Sequence, residues 1–97
     1  MSPRPKLRRR VQFNPEVTYF KPAGIPLNQL QEVILNPDEL EALRLQNILK
    51  LDQIESAKKM EISQPTLHRI LLSAKEKITD ALVNGKAIRI DNRRIPK

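Results

Sequence analysis

No cysteine and no tryptophan occur in the 97 residues; histidine occurs once and glycine twice. Without thiols the chain forms neither a disulfide nor a thiolate metal centre. One histidine cannot build a histidine metal cluster, and two glycines cannot build a glycine-rich phosphate loop. Aromatic residues are 3% of the chain, too few for the stacking platforms that read RNA, so RNA binding through the basic ends is the weakest of the binding readings. No apolar run nears the roughly 18 residues of a membrane span. The basic N-terminus leads into Asn14-Pro15-Glu16 and not into a signal-peptide core. The expectation is a soluble cytoplasmic protein with no cofactor, no metal and no membrane partner. An enzyme is not expected, because one histidine leaves no nucleophile–base pair to assemble and the acids fall at helix caps or on solvated helix faces.

What is plentiful is positive charge. The net charge is +7, and it is unevenly spread: residues 1–21 carry +5, residues 22–55 carry −4 and residues 56–97 carry +6. Two basic ends flank an acidic middle. Such a layout suits a polyanion when a groove-reading element lies beside it. The length fits one domain near the lower limit for a single core. The chain divides into a basic flexible arm (1–10), one helical domain (11–91) and a basic tail (92–97).

Within the domain, Val11-Gln12-Phe13 alternates like a short strand, and Val17-Thr18-Tyr19-Phe20 is β-branched and aromatic. Lys21-Pro22-Ala23-Gly24-Ile25-Pro26 must be irregular. Leu27, Leu30, Val33 and Ile34 recur at helical steps and predict a helix. Asn36 caps a second helix over 37–48, with Pro37 in its first position and Asp38 and Glu39 at the positive end of its dipole. Leu40, Leu43 and Ile48, with Ala42 and Leu45 alongside, give that helix its apolar stripe. Asp52 caps a helix over 53–60. After Ser63 a long helix carries Leu67, Ile70, Leu71, Ala74, Ile78 and Leu82, and stops at Asn84-Gly85. Its C-terminal half needs the 37–48 helix or a second subunit to pack against. Ala87-Ile88-Arg89-Ile90-Asp91 alternates like a strand and could pair with residues 11–13.

The stretch from Gln53 to Ile70 has the form of a helix-turn-helix. Ala57 is small where two helices cross steeply. Met60, Ile62, Leu67 and Ile70 make the shared apolar seam. Ser63 caps the second helix, and because Pro65 lacks an N–H, the Ser63 hydroxyl is expected to bond the N–H of Thr66. With Leu67 and Ile70 inward, Gln64, His68 and Arg69 face outward as candidate base readers. Lys58, Lys59, Ser63, Thr66 and Lys75 are candidate phosphate contacts, joined by Arg8, Arg9 and Arg10 of the arm. Glu61 stands where the turn favours positive φ and hence glycine.

Arg9-Arg10-Val11 with Phe13, the run Thr18-Tyr19-Phe20-Lys21-Pro22-Ala23-Gly24-Ile25-Pro26-Leu27, Asp38-Glu39-Leu40-Glu41-Ala42-Leu43-Arg44-Leu45 and Asp80-Ala81-Leu82-Val83-Asn84-Gly85-Lys86-Ala87 are family-like segments. On these residues the chain resembles a small, largely uncharacterised prokaryotic family of predicted DNA-binding proteins. Residues about 37–83 look like the DNA-binding region four of bacterial sigma factors. The resemblance implies a tri- or tetra-helical helix-turn-helix fold and a role in transcription; with the strand-like ends, the expected fold is mainly α, a helix-turn-helix bundle of winged-helix-like type with short N- and C-terminal β segments. It also places the base-facing positions on Gln64, His68 and Arg69. The chain departs from the family pattern at Gln12, where many members have cysteine, at Glu61, where glycine is usual, and at Gln64, where a basic residue is usual.

The expected function is therefore double-stranded DNA binding by a small transcriptional regulator that reads the major groove with helix 64–83. One such module contacts few bases, so a homodimer is expected. The alternative is a protein-interaction module docking on RNA polymerase or a sigma factor through its acidic middle.

Overall fold

A computed structural model describes residues 9–91. The elements are β1 (Tyr19–Phe20), a single 3-10 turn (Leu27–Gln29), β2 (Glu32–Leu35), α1 (Pro37–Leu43) continued by a wider π turn (Arg44–Ile48), α2 (Gln53–Met60), α3 (Gln64–Asn84) and β3 (Ala87–Ile90). The fold is mainly α, with a small sheet of order β1-β3-β2.

The sheet differs from the sequence reading in two places. The helix expected from Leu27 to Ile34 is absent; a 3-10 turn and then β2 occupy that stretch. Val33 and Leu35 are buried, while Glu32 and Ile34 face out. That is a strand's period of two, in a segment containing β-branched Val33 and Ile34. Pairing with β3 decides the outcome: Glu32 lies opposite Ala87 and Leu35 opposite Ile90, in parallel. The second difference concerns the partner of β3. Tyr19 and Phe20 pair antiparallel with Arg89 and Ile88, so residues 11–13 are not a strand. Their backbone N–H groups find a carboxylate instead.

Parallel neighbours need a long crossover, and here the crossover is the helical unit itself. Asn36 sits at the α1 N-cap in extended conformation, and its backbone N–H donates to the Glu39 carboxylate at 2.8 Å. The π turn prolongs α1 to Ile48, as the 37–48 reading requires, but it also rotates the stripe. Leu49 N–H bonds Arg44 C=O at 3.0 Å, five residues back. Leu45 goes inward and Ile48 swings out to 72% exposure.

Helix α3 is the spine. Its N-terminal half shares one core with α1 and α2, made by Ala42, Leu45, Ala57, Met60, Leu67, Ile70 and Leu71. Its C-terminal half packs Ala74 against Leu35 and Ile90 of the sheet. The sheet and the 37–48 helix share the packing role that the sequence assigns to that helix or a second subunit, for Leu40 and Leu43 pack against the same cluster and Lys77 reaches Glu39. Leu82 is not part of that core; Ala81 is buried in its place. Gly85, at φ 67°, closes α3, and Lys86 N–H reaches back to Ala81 C=O at 2.9 Å. That left-handed residue aims the chain into β3.

The acids of the middle segment are less solvated than their sequence suggests. Glu39 and Glu41 are buried. Glu39 accepts from Lys77 Nζ at 2.8 Å and from the Ser73 hydroxyl. Glu41 accepts from Arg44 Nε at 3.1 Å and from its terminal guanidinium nitrogen at 3.0 Å. It also accepts the N–H groups of Gln12 at 3.3 Å and Phe13 at 3.4 Å. Burial raises the Glu41 pKa, but the Arg44 and backbone hydrogen bonds outweigh it and hold the carboxyl below its ordinary value. Phe13 lies against Arg44, 5.3 Å from ring centroid to guanidinium carbon. One carboxylate therefore ties the N-terminal segment to the helical unit.

Candidate nucleic-acid interface

The interface is built by α2, the turn and the first two turns of α3. Asp52 starts α2 by accepting the Glu55 N–H at 2.8 Å. Glu55 faces the positive end of that helix, and Lys58 and Lys59 its negative end. Glu61 then takes the left-handed conformation, φ 59° and ψ 45°. Its N–H bonds Lys58 C=O at 3.1 Å, and the Ile62 N–H bonds Ala57 C=O at 3.0 Å. These bonds satisfy the carbonyls that a helix end leaves open. A left-handed non-glycine residue is strained by roughly 1 kcal/mol, and the turn keeps it because the two helices are locked by their shared core.

Ser63 starts α3. Its Oγ accepts the Thr66 N–H at 3.2 Å and its hydroxyl donates to Thr66 Oγ1 at 2.9 Å. This is the cap bond expected from Pro65. Beneath the turn, Ala57 and Met60 are buried against Leu67 and Ile70, with Ile62 partly buried beside them. Ser56 is buried as well, and its Oγ has no hydrogen-bond partner. The sequence points to Ala57 and not to Ser56, its equally small and buried neighbour.

Gln64, His68 and Arg69 are all exposed on the first two turns of α3. The Arg69 guanidinium donates to Thr66 Oγ1 at 3.4 Å, a long and therefore weak hydrogen bond. Lys58, Lys59 and Lys75 are exposed too, and among the described residues none of them takes part in an ion pair. Ser63 is exposed, but its hydroxyl is committed to the cap; Thr66 is half-buried. The side chains expected to meet bases thus share the end of one helix with Ser63 and Thr66, Lys58 and Lys59 sit on the helix before it, and Lys75 lies further along α3.

The arm meets the same turn. Arg10 N–H donates to Met60 C=O at 2.9 Å, and its guanidinium lies 3.5 Å from the Glu61 carboxylate. Arg9 pairs with Asp38 at 3.3 Å. Both pairs are partly exposed, so exchanging the carboxylate for a phosphate costs little. Arg8 and the tail over 92–97 lie outside the described residues.

Residues 1–94 match the family described as "Protein of unknown function DUF134". The chain belongs to that family. Among its relatives, a UPF0251 protein of Caldanaerobacter subterraneus subsp. tengcongensis is 57% identical over 92% of this chain and 75% of the relative. One from Moorella thermoacetica is 56% identical over 92% of this chain and 60% of the relative, so against that protein the chain spans less than two thirds of its length. One from Dehalococcoides mccartyi strain CBDB1 is 53% identical over 92% and 76%. No solved structure matches the chain. Among the described residues of this family member, no helix is long and apolar enough to cross a membrane.

Proposed function

We propose that this protein is a cytoplasmic, non-enzymatic DNA-binding protein that acts as a small transcriptional regulator. The observation that carries this reading is the exposed trio Gln64, His68 and Arg69 at the start of a helix anchored by Leu67, Ile70, Leu71 and Ala74, with Lys58, Lys59 and Lys75 exposed as well. Glutamine can bond adenine, and arginine guanine, in two places each across the major groove. The lysines supply charge for the backbone, which positions the helix without specifying sequence.

The test is selection of bound duplexes from a random pool, followed by a salt titration on the selected sequence. One enriched motif is expected. Affinity should fall with salt at a logarithmic slope of about −4 if roughly four phosphates are neutralised. A pool with no enriched sequence, or an affinity flat in salt, removes the proposal.

A second reading, docking on RNA polymerase or a sigma factor, gains from one observation. Ile48, Leu49 and Ile54 are exposed around the connection from α1 to α2. The acidic middle is a poorer basis for it, since Glu39 and Glu41 are buried and Glu32 and Asp38 are paired with Arg89 and Arg9. A polymerase pull-down that survives Ile48→Asp and Ile54→Asp together counts against this route.

A further inference from the structure

Among the described residues, the outer face of the C-terminal half of α3 presents exposed apolar side chains at both of its ends. Leu72, Leu82 and Val83 are 52%, 76% and 73% exposed, while Ala74 and Ala81 on the inner face are buried. A shallow groove of about 480 Å³ runs along the outer face between Leu72 and Val83. Leu72, Glu76, Thr79 and Val83 follow one another at steps of four, three and four, which is the seam spacing of two helices packed side by side.

We propose that a second copy of this chain covers this face by an antiparallel α3–α3 pairing about a two-fold axis. The order of residues along the seam selects both occupant and direction. With the axis at the midpoint between Lys77 and Ile78, Leu72 of each copy meets Val83 of the other at the two ends. Glu76 meets Thr79 at the two inner layers, where the hydroxyl can donate to the carboxylate. Lys75 lies beside Leu82 of the second copy and can lay its aliphatic stem over it with the ammonium in water. Every contact is made twice, as a self-complementary two-fold interface requires. A parallel pairing in register would instead set Glu76 on Glu76, two like charges at the seam.

The pairing leaves the first two turns of α3 uncovered. At about 1.5 Å per residue, the two Thr66 positions lie roughly 34 Å apart. Half-sites one helical turn apart on DNA are separated by about 34–36 Å. At about 100° per residue Gln64 and His68 fall to one side of the seam and Arg69 to the other, and the two-fold keeps each side common to both copies. This DNA consequence rests on the function proposed above; the pairing itself does not.

Analytical ultracentrifugation of the full chain without DNA tests the pairing. A dimer is expected, with a dissociation constant raised at least about tenfold by Leu72→Glu. Leu72 is on the outer face, so the helical circular dichroism should not change. The chain has no cysteine, which makes disulfide trapping a clean probe of register. Leu72→Cys and Val83→Cys variants should cross-link when mixed, and neither should cross-link to itself. A chain that stays monomeric at high micromolar concentration, a dimer indifferent to Leu72→Glu, or cross-links between identical variants overturns the proposal. If the dimer forms as described but no duplex is bound, the DNA reading fails and the pairing stands.

Discussion

The Glu41 carboxylate receives the Arg44 guanidinium through two nitrogens, at 3.0 and 3.1 Å, one turn further along the same helix. It simultaneously receives the N–H groups of Gln12 and Phe13. A bidentate pair on a buried acid is among the stronger polar contacts a small domain can make, and this one joins segments that are far apart in the chain.

The pair has a pH signature. The folded-state pKa of Glu41 lies below its ordinary value. The unfolded chain therefore binds the proton more readily, and stability is lost as pH falls. The contribution is full above the ordinary carboxylate range, shrinks from about pH 4.5 downward, and is gone below the folded pKa. Thermal melts between pH 7 and pH 3 should show this acid limb. Glu41→Gln should flatten it and lower stability at neutral pH by roughly 3 kcal/mol, because Arg44 loses its counter-charge. An acid limb unchanged by the substitution would mean that other carboxylates produce it.

Ser63→Ala removes the acceptor for the Thr66 N–H. A lost cap costs about 1 kcal/mol, which lowers the melting temperature of a domain this size by about 4–8 °C. The first turn of α3 carries Gln64, so duplex affinity should drop as well. The measurement is paired: a melt and a binding isotherm on the same variant. A large loss of affinity with no change in melting would assign the hydroxyl directly to DNA instead.

Glu61→Gly should act in the opposite direction. Glycine takes φ 59° without strain, worth up to about 1 kcal/mol, against a partly exposed Arg10 contact worth less. The melting temperature should rise by a few degrees and duplex affinity should hold. A lower melting temperature would show that the Arg10 strap outweighs the strain in the turn.

The parts of the fold that the sequence announced are those with local causes. Asp52, Ser63 and Gly85 are capping residues, and α2 and α3 begin and end beside them. The left-handed turn at Glu61 was legible because the geometry of two crossing helices demands it. Residues 32–35 were not legible as a strand, because their partner β3 lies at the other end of the chain and the three-residue apolar run Val33–Leu35 has no decisive period of its own. Ile48 was misplaced because one wide turn shifts the stripe, and nothing local to Arg44–Ile48 marks it. Glu41 was misjudged for a third reason. An acid in an amphipathic helix reads as solvated until the segment that covers it, here Gln12 and Phe13, is known.

Ser56 offers a test of the packing beneath the interface. Its hydroxyl is buried with no hydrogen-bond partner, and a buried polar group left unsatisfied costs about 1–3 kcal/mol. Alanine removes the hydroxyl, adds no volume at this fully buried position and has the better helix propensity. Ser56→Ala should therefore stabilise by about 1 kcal/mol and raise the melting temperature by about 4–8 °C. Ser56→Val is the counterpart: it also removes the hydroxyl but adds bulk at a fully buried position, and overpacking of this kind costs about 1–3 kcal/mol. Melts of both variants separate polarity from size. If the alanine variant is less stable than the parent, the hydroxyl is satisfied in solution by a polar bond.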